Sequence, residues 1–254
     1  HILIKVTHIS IQEVTNKLVI LYGQREIIER ERFDMTVTRG LEGIVATTSS
    51  ISSIIDDTLT YVGYNIDDLA VNAKFEEVIY LLWHRRLPNK VELEELTLQL
   101  ANNMELPKEI IEYFNMFDIK NIHPMSALRT AISMLGLYDP EAEKMDGVSN
   151  YNKAIRIQAK IPTIVTAFSR VRKGLEPVSP RKDLSFAANF LYMLSGKEPS
   201  EIEVEAFNKA LVLHADHELN ASTFTARVCV ATLSDVYSGV TSAIGALKGP
   251  LHGG

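Results

Sequence analysis

Between residues 35 and 254, apolar residues recur mostly at intervals of three and four positions, which is the spacing of amphipathic helices. Glu76–Trp83 has the pattern of a buried helix that ends before Pro88. Asn89 can cap the next helix, because its side chain can accept a hydrogen bond from an amide of the first turn. The apolar side of this second helix consists of Val91, Leu93, Leu96 and Leu100.

A helix with one apolar face is predicted from residue 124 onward. Pro124 suits the first helical turn, where its missing N–H is not needed, and Gly136 is the expected stop. The apolar face consists of Met125, Leu128, Ile132 and Leu135.

Two further helices are predicted in the second half of the chain. Residues 152–173 have the pattern of a long helix, kinked at Pro162, whose last turn is rich in cations before Gly174. The segment Ser200-Glu-Ile-Glu203 has the form of a capping box and opens a helix that runs to His214. Residues 174–180 form a loop rather than a domain linker. The body of the chain is therefore predicted to be one predominantly α-helical domain.

The first 34 residues do not fit this pattern. They carry five acidic and five basic side chains, and they match neither a signal peptide nor a transit peptide. Residues 2–11 alternate enough to form a strand. The run Glu29-Arg-Glu-Arg32 is encoded by purine-rich codons shortly before Met35, as a translated ribosome-binding site would be. We interpret residues 1–34 as a non-native extension and Met35 as the native start.

Composition narrows the function classes. The 254 residues are 46% hydrophobic and 23% charged, which is typical of a globular protein. Their net charge of −6 and the lack of a long basic run argue against nucleic-acid binding. No apolar run approaches the ~20 residues of a membrane helix. Cys229 is the one cysteine, which fits a reducing, cytoplasmic setting, and its apolar surroundings predict a buried structural thiol.

The histidines are the first candidates for chemistry, because their pKa lies near neutrality. His1 and His8 fall in the doubtful extension, and His84 beside Arg85 and Arg86 is expected to be a surface or capping residue. His123 precedes a proline, where it can shape the turn or support a site.

The segment from residue 213 to residue 222 is more informative. His214 and His217 are three positions apart and Glu218 is four from His214, so a continuing helix would place all three on one face. Such a face could ligate a metal, bind an anion through hydrogen bonds, or form a structural polar network. Because no second ligand cluster is evident, the residues alone leave these three readings open.

His252 lies among glycines and a proline in Gly245-Ala-Leu-Lys-Gly-Pro-Leu-His-Gly-Gly254. Such a sequence predicts a tight backbone that presses the imidazole into a cavity. The segment is not a phosphate loop, and the chain has no Gly-x-Ser-x-Gly motif of a serine hydrolase. The residues alone thus predict a helical protein with a histidine-lined pocket, without naming a reaction.

Taken in order, several segments make residues 35–254 resemble citrate synthase of the shorter bacterial type. One departure is Val62, where that family commonly has arginine. The last two segments, at their spacing, are the most specific. The segments are Arg39-Gly-Leu-Glu-Gly43, Tyr64-Asn-Ile-Asp-Asp-Leu-Ala70, Phe75-Glu-Glu-Val-Ile-Tyr-Leu-Leu-Trp83, His123-Pro-Met125, His214-Ala-Asp-His-Glu-Leu-Asn-Ala-Ser222 and Gly249-Pro-Leu-His-Gly-Gly254.

The resemblance implies an all-α fold, with a large helical domain and a small domain that closes over the substrates, in a homodimer. It implies a Claisen condensation of acetyl-CoA with oxaloacetate and hydrolysis of citryl-CoA, a step of the tricarboxylic acid cycle that uses no metal or redox cofactor. Residues 35–254 would be the large domain, with the small domain largely missing from this chain.

The resemblance also implies roles for four residues. His252 would donate a hydrogen bond to the thioester carbonyl as the enol forms, and His217 would hold oxaloacetate with His214 beside it. Ser222 would orient His252. In the family the aspartate base, a further oxaloacetate histidine, the carboxylate-binding arginines and most of the CoA site lie beyond the position of Gly254. We therefore expect the 254-residue chain alone to be inactive.

Three alternatives remain beside this interpretation. The nearest is 2-methylcitrate synthase, the same type of enzyme acting on propionyl-CoA. The others are a non-catalytic helical interaction module and a metal-binding helical protein that uses His214, His217 and Glu218. Neither of these last two explains the ordered run of matching segments.

Overall fold

The computed structural model describes residues 48–253. The predicted strand at residues 2–11, the interpretation of residues 1–34 as an extension, the Arg39 segment and Gly254 lie outside the described residues.

The described part of the chain opens with a small antiparallel sheet that the sequence pattern did not predict. Its strands are β1 (Ser52–Ile55), β2 (Thr58–Tyr61) and β3 (Tyr64–Asn65), in the order β1-β2-β3. Ser52 pairs with Tyr61 and Ile55 pairs with Thr58. Two-residue turns join the strands, and their central residues have positive φ, as the tight turns of twisted hairpins require. These residues are Asp56 (φ 49°), Asp57 (φ 61°), Val62 (φ 52°) and Gly63 (φ 85°).

Ten α-helices follow within residues 48–253, which confirms the predominantly helical fold. A short 3-10 helix over Ile119–Asn121 separates the fourth from the fifth. The helices are α1 (Ile66–Asn72), α2 (Phe75–His84), α3 (Lys90–Asn103), α4 (Lys108–Asn115), α5 (Pro124–Tyr138), α6 (Gly147–Arg172), α7 (Phe186–Ser195), α8 (Glu201–Leu213), α9 (Ala221–Ala231) and α10 (Val236–Leu247).

The predicted helices on either side of Pro88 are confirmed as α2 and α3. Asn89 caps α3 as predicted, since its Oδ1 accepts from the amide of Glu92 at 3.0 Å. The amide of Asn89 in turn donates to Oε2 of Glu92 at 2.8 Å. Leu96 and Leu100 are buried, but Val91 is 70% exposed, so the apolar side of α3 is narrower than predicted.

Helix α5 has the predicted apolar face but not the predicted end. Its four face residues are buried, whereas Gly136 lies inside the helix, which continues to Tyr138. A Cβ at Gly136 would lie 3.3 Å from the Cβ and Cγ of Tyr237 in α10. The glycine therefore permits close packing of two helices rather than ending one.

The long helix α6 begins five residues before its predicted start, at Gly147, because Asp146 accepts from the amide of Ser149 and caps it. Gly174 has φ 73° and follows the helix end in the left-handed conformation, as predicted. Pro162 lies within the helix, and the kink there stays a prediction. The loop predicted at residues 174–180 is present and continues to residue 185.

The core lies around α6, which packs against α3, α5 and α7, while α10 packs between α5 and α9. Ile157 and Ala159 of α6 are fully buried, and so are Ala243 and Ile244 of α10. Within residues 48–253, no helix combines the length and apolarity that crossing a membrane demands.

Candidate active site

The first two candidate histidines lie at the end of helix α8 and just after it. The capping box at Ser200 is present as predicted, but the helix ends at Leu213 and His214 is its C-cap residue. The prediction that His214, His217 and Glu218 share one helical face is therefore wrong. After the helix, Ala215 and Asp216 are buried, each 3% exposed, and Glu218 takes a left-handed conformation with φ 57°.

The two histidine rings nevertheless lie near one another. Their centroids are 6.3 Å apart, and both residues are exposed. Partial burial lowers the pKa of His217, the neighbouring His214 lowers it further, and Glu218 opposes this shift. The shift favours the neutral form of the His217 ring. Within residues 48–253, no group of three or more His, Cys, Asp or Glu side chains is arranged to hold a metal ion.

Helix α9 starts directly after this segment and is capped by Asn220. The Oδ1 of Asn220 accepts from the amide of Thr223 at 2.9 Å and from the hydroxyl of Ser222 at 2.6 Å. Ser222 is fully buried. Asn220 was not predicted as a cap, although an asparagine just before a helical pattern is a recognisable cap signal.

The loop after α10 brings the third histidine to the same place. Its turn is tight, since the amides of His252 and Gly253 both donate to the carbonyl of Gly249, at 2.9 and 3.0 Å. The half-buried His252 ring lies against α9, with its Nε2 3.0 Å from the Oγ of Ser222. Ser222 has a single proton, which it can give to Asn220 or to His252 but not to both.

The four predicted site residues form two pairs, one in the first turn of α9 and one on the segment just before that helix. His252 meets Ser222 directly, and His214 and His217 lie on the segment that leads into Asn220. The first-turn amides of α9 add partial positive charge at this point, which favours a bound anion.

The remaining candidate residues have structural surroundings. His84 is exposed and stacks on Tyr80 with ring centroids 4.1 Å apart, as expected of a surface residue. His123 caps α5, with its Nδ1 accepting from the amide of Met125 at 3.2 Å, so it shapes the turn. Cys229 is half-buried rather than buried as predicted.

The comparison with family models decides the family. A model described as the C-terminal domain of citrate synthase matches residues 40–254. The chain belongs to the citrate synthase family.

Two relatives agree with this assignment. The chain is 74% identical over 220 residues to citrate synthase 2 of Bacillus subtilis, a match that covers 87% of this chain and 59% of that protein. It is 43% identical over 220 residues to 2-methylcitrate synthase of Mycobacterium tuberculosis, covering 86% of this chain and 55% of the relative. The chain therefore spans less than two thirds of the length of these citrate synthase family members.

Solved structures of the family share the fold. Citrate synthase from Pyrobaculum aerophilum superimposes with a TM-score of 0.79 at 39% identity, covering 90% of this chain and 61% of that one. Citrate synthase from Thermoplasma acidophilum, solved as a ternary complex with carboxymethyl coenzyme A and oxaloacetate, gives a TM-score of 0.79 at 29% identity, with 84% and 56% covered.

Proposed function

We propose that the full-length protein to which this chain belongs is a citrate synthase, which condenses acetyl-CoA with oxaloacetate and hydrolyses citryl-CoA to citrate and CoA. The observation that carries the proposal is the contact between His252 and Ser222 at the N-terminus of α9, within a chain 74% identical to a citrate synthase. We infer a cytoplasmic homodimer acting in the tricarboxylic acid cycle, with residues 35–254 as its large domain and residues 1–34 as a non-native extension.

In this proposal His252 stabilises the developing enol. Its Nε2 faces Ser222, so Nδ1 is the ring atom left to donate to the thioester oxygen. A neutral imidazole can donate there when Ser222 turns its own proton from Asn220 toward Nε2. A donor already aimed at the developing negative charge contributes about 3 kcal/mol to such a step.

His217, with His214 beside it, holds oxaloacetate. A neutral His217 can donate one hydrogen bond to a substrate oxygen without forming a salt bridge that would have to be broken on release. The amides at the start of α9 favour the dianion electrostatically. The sequence left three interpretations of this segment open: a metal site, an anion site and a structural polar network. The proposal adopts the anion site and needs no metal or redox cofactor.

The other residues that the reaction needs are assigned, by family resemblance, to parts of the protein outside the described residues. They are the aspartate that removes the α-proton, a further oxaloacetate histidine, the arginines for the substrate carboxylates and most of the CoA site. For that reason we expect the 254-residue chain alone to release no CoA.

The test is a CoA-release assay on the full-length protein with acetyl-CoA, in the presence and absence of oxaloacetate. Oxaloacetate-dependent release with citrate as the product is expected. A pure full-length protein that folds but releases no CoA would overturn the proposal. The 254-residue chain, assayed alongside, tests the expected inactivity of the chain alone, and detectable turnover there would contradict it.

A second candidate is 2-methylcitrate synthase activity, which the 43% identity to the Mycobacterium tuberculosis protein keeps open. The higher identity to citrate synthase 2 favours acetyl-CoA. The same assay with propionyl-CoA separates the two, since the ratio of the kcat/KM values for the two thioesters gives the specificity directly.

A further inference from the structure

The small sheet makes a set of hydrogen bonds to the segment that carries His214 and His217. Tyr61 of β2 is fully buried, and its hydroxyl lies 3.1 Å from the carbonyl oxygens of both Val212 and Asp216. The same hydroxyl accepts from the amide of Asp216 at 3.2 Å. Burial raises the pKa of Tyr61, so the hydroxyl keeps its proton and remains a donor.

Ser52 of β1 makes a second connection. Its hydroxyl donates to the carboxylate of Asp216, which is 3% exposed, and accepts from the amide of Glu218 at 3.1 Å. The same carboxylate accepts from the amide of Glu218 at 2.9 Å. Because Ser52 and Tyr61 are paired across β1 and β2, the hydrogen bonds of both side chains start from neighbouring positions in the sheet.

These bonds fix the backbone on both sides of His217. Asp216, the residue before it, is held through its amide and carbonyl, and Glu218, the residue after it, is held through its amide. Glu218 also has φ 57°, a conformation that costs a non-glycine residue energy and persists only where surrounding contacts impose it. The hairpin supplies such contacts.

We propose that Tyr61 and Ser52 are positioning residues for oxaloacetate binding, which hold His217 in place through the backbone of Asp216 and Glu218. The inference rests on the proposed function, because it takes His217 as the oxaloacetate ligand. Neither side chain has a part in proton transfer, so their loss acts on substrate binding.

The test compares Tyr61→Phe with Tyr237→Phe in the full-length protein. Each substitution removes one buried phenol hydroxyl, but that of Tyr237 bonds to Asp139, far along the chain from the histidine segment. Both variants are expected to lower Tm. Only Tyr61→Phe is expected to raise the KM for oxaloacetate, by about tenfold, with the KM for acetyl-CoA and kcat changed by less than about twofold.

Equal KM values for oxaloacetate in the two variants would overturn the proposal, because the hydroxyl of Tyr61 would then matter for stability alone. If Tyr61→Phe does not fold, Ser52→Ala decides, since it keeps the buried aromatic ring. Its expected KM for oxaloacetate is raised about fivefold, and an unchanged value would overturn the proposal.

A second readout separates this inference from the proposed function. Oxaloacetate alone should raise the Tm of the wild type and of Tyr237→Phe, and raise that of Tyr61→Phe by much less at the same concentration. A wild type without CoA release would refute the proposed function, while this shift would still decide the positioning. A Tm that oxaloacetate raises equally in all three proteins, or in none, would overturn the positioning.

Discussion

Two polar clusters of this protein differ in how completely their side chains are hydrogen-bonded within the chain. In the first, which we call the Arg156 cluster, Arg156 bonds to Asp139 at 2.7 and 3.0 Å and to Glu141 at 2.9 Å, and Tyr237 bonds to Asp139. The carboxyl side chain of Asp139 is 3% exposed. The guanidinium and the phenol together leave this carboxylate well paired inside the chain.

The second cluster, the histidine site, consists of His214, His217, Asn220, Ser222 and His252. Here His214 and His217 are exposed, and the Nδ2 of Asn220 is buried without a hydrogen-bond partner among the described residues. Ser222 has two acceptors for its one proton.

A group of charged or titratable side chains therefore does not by itself identify a functional site. The side chains of the Arg156 cluster bond to one another and connect α5, α6 and α10, so we expect them to stabilise the fold. In the histidine site, the buried Nδ2 of Asn220 and the shared proton of Ser222 leave hydrogen-bonding capacity that a ligand can use. Stability and turnover measured on the same full-length variants separate these two roles.

The largest effect on stability is expected from Arg156→Met. It leaves the buried carboxylate of Asp139 without its cation, which costs about 3–5 kcal/mol in the free energy of unfolding. Chemical denaturation measures this loss. Lys90→Met is the matched control, because the Lys90–Glu94 pair spans 3.9 Å between side chains that are 89% and 67% exposed and should contribute almost nothing. A loss no larger than that of the control would mean that the Arg156 cluster is not structural.

The largest effect on turnover is expected from His252→Ala. Loss of the donor to the thioester oxygen should lower kcat by about 100- to 1,000-fold. Tm should change little, because the ring is half-buried and Ser222 keeps its bond to Asn220. His84→Ala, which removes an exposed histidine remote in sequence from the site, is the control. A His252→Ala variant with near-normal kcat would remove His252 from the chemistry.

One position should affect both clusters, because α10 carries Tyr237 at its start and leads to His252 at its end. A Cβ added at Gly239 of α10 would lie 2.7 Å from the Cγ1 of Val230 in α9. Gly239→Ala should therefore push α9 and α10 apart, costing about 1–3 kcal/mol of stability and lowering kcat in the folded protein.

Gly245→Ala in the same helix is the control for this prediction, since the nearest atom to its new Cβ is 3.9 Å away, in the side chain of Arg129. If Gly239→Ala lowers Tm and leaves kcat unchanged, the relative placement of α9 and α10 does not control the site.

The smallest effect is expected from Ser222→Ala. It removes the hydroxyl that contacts Nε2 of His252, and a lost hydrogen bond of this kind should lower kcat about tenfold while the KM for oxaloacetate stays near that of the wild type. Ser222→Thr keeps the hydroxyl and is the variant for rescue. A raised KM for oxaloacetate with normal kcat would place Ser222 in substrate binding instead.

Sequence reasoning succeeded where local signals decide the structure. The caps at Asn89 and Ser200 and the glycine at 174 are visible in the sequence because a helix end depends on a few neighbouring residues. The contact of Ser222 with His252 agrees with the role that the family resemblance implied for Ser222, and that role stays a prediction.

The sequence patterns did not predict the features that depend on contacts between residues distant in sequence. The helical spacing continues from His214 to Glu218, but the chain is not helical there, and Asp216 bonds instead to Ser52 and Tyr61, more than 150 residues away in sequence. The sheet was missed because its strands, of two to four residues, are too short for a clear alternation. Gly136 was predicted to end α5 because the local sequence does not show that Tyr237 of α10 packs against it.

The role of the histidine site as the catalytic centre is tested by measuring kcat for CoA release and the free energy of unfolding for two full-length variants, His252→Ala and Arg156→Met. We expect a crossed result: His252→Ala loses turnover and keeps its stability, while Arg156→Met loses stability and keeps kcat per folded molecule. Turnover that survives in His252→Ala, or that is lost to the same degree in both variants, would contradict the assignment of the histidine site as the catalytic centre.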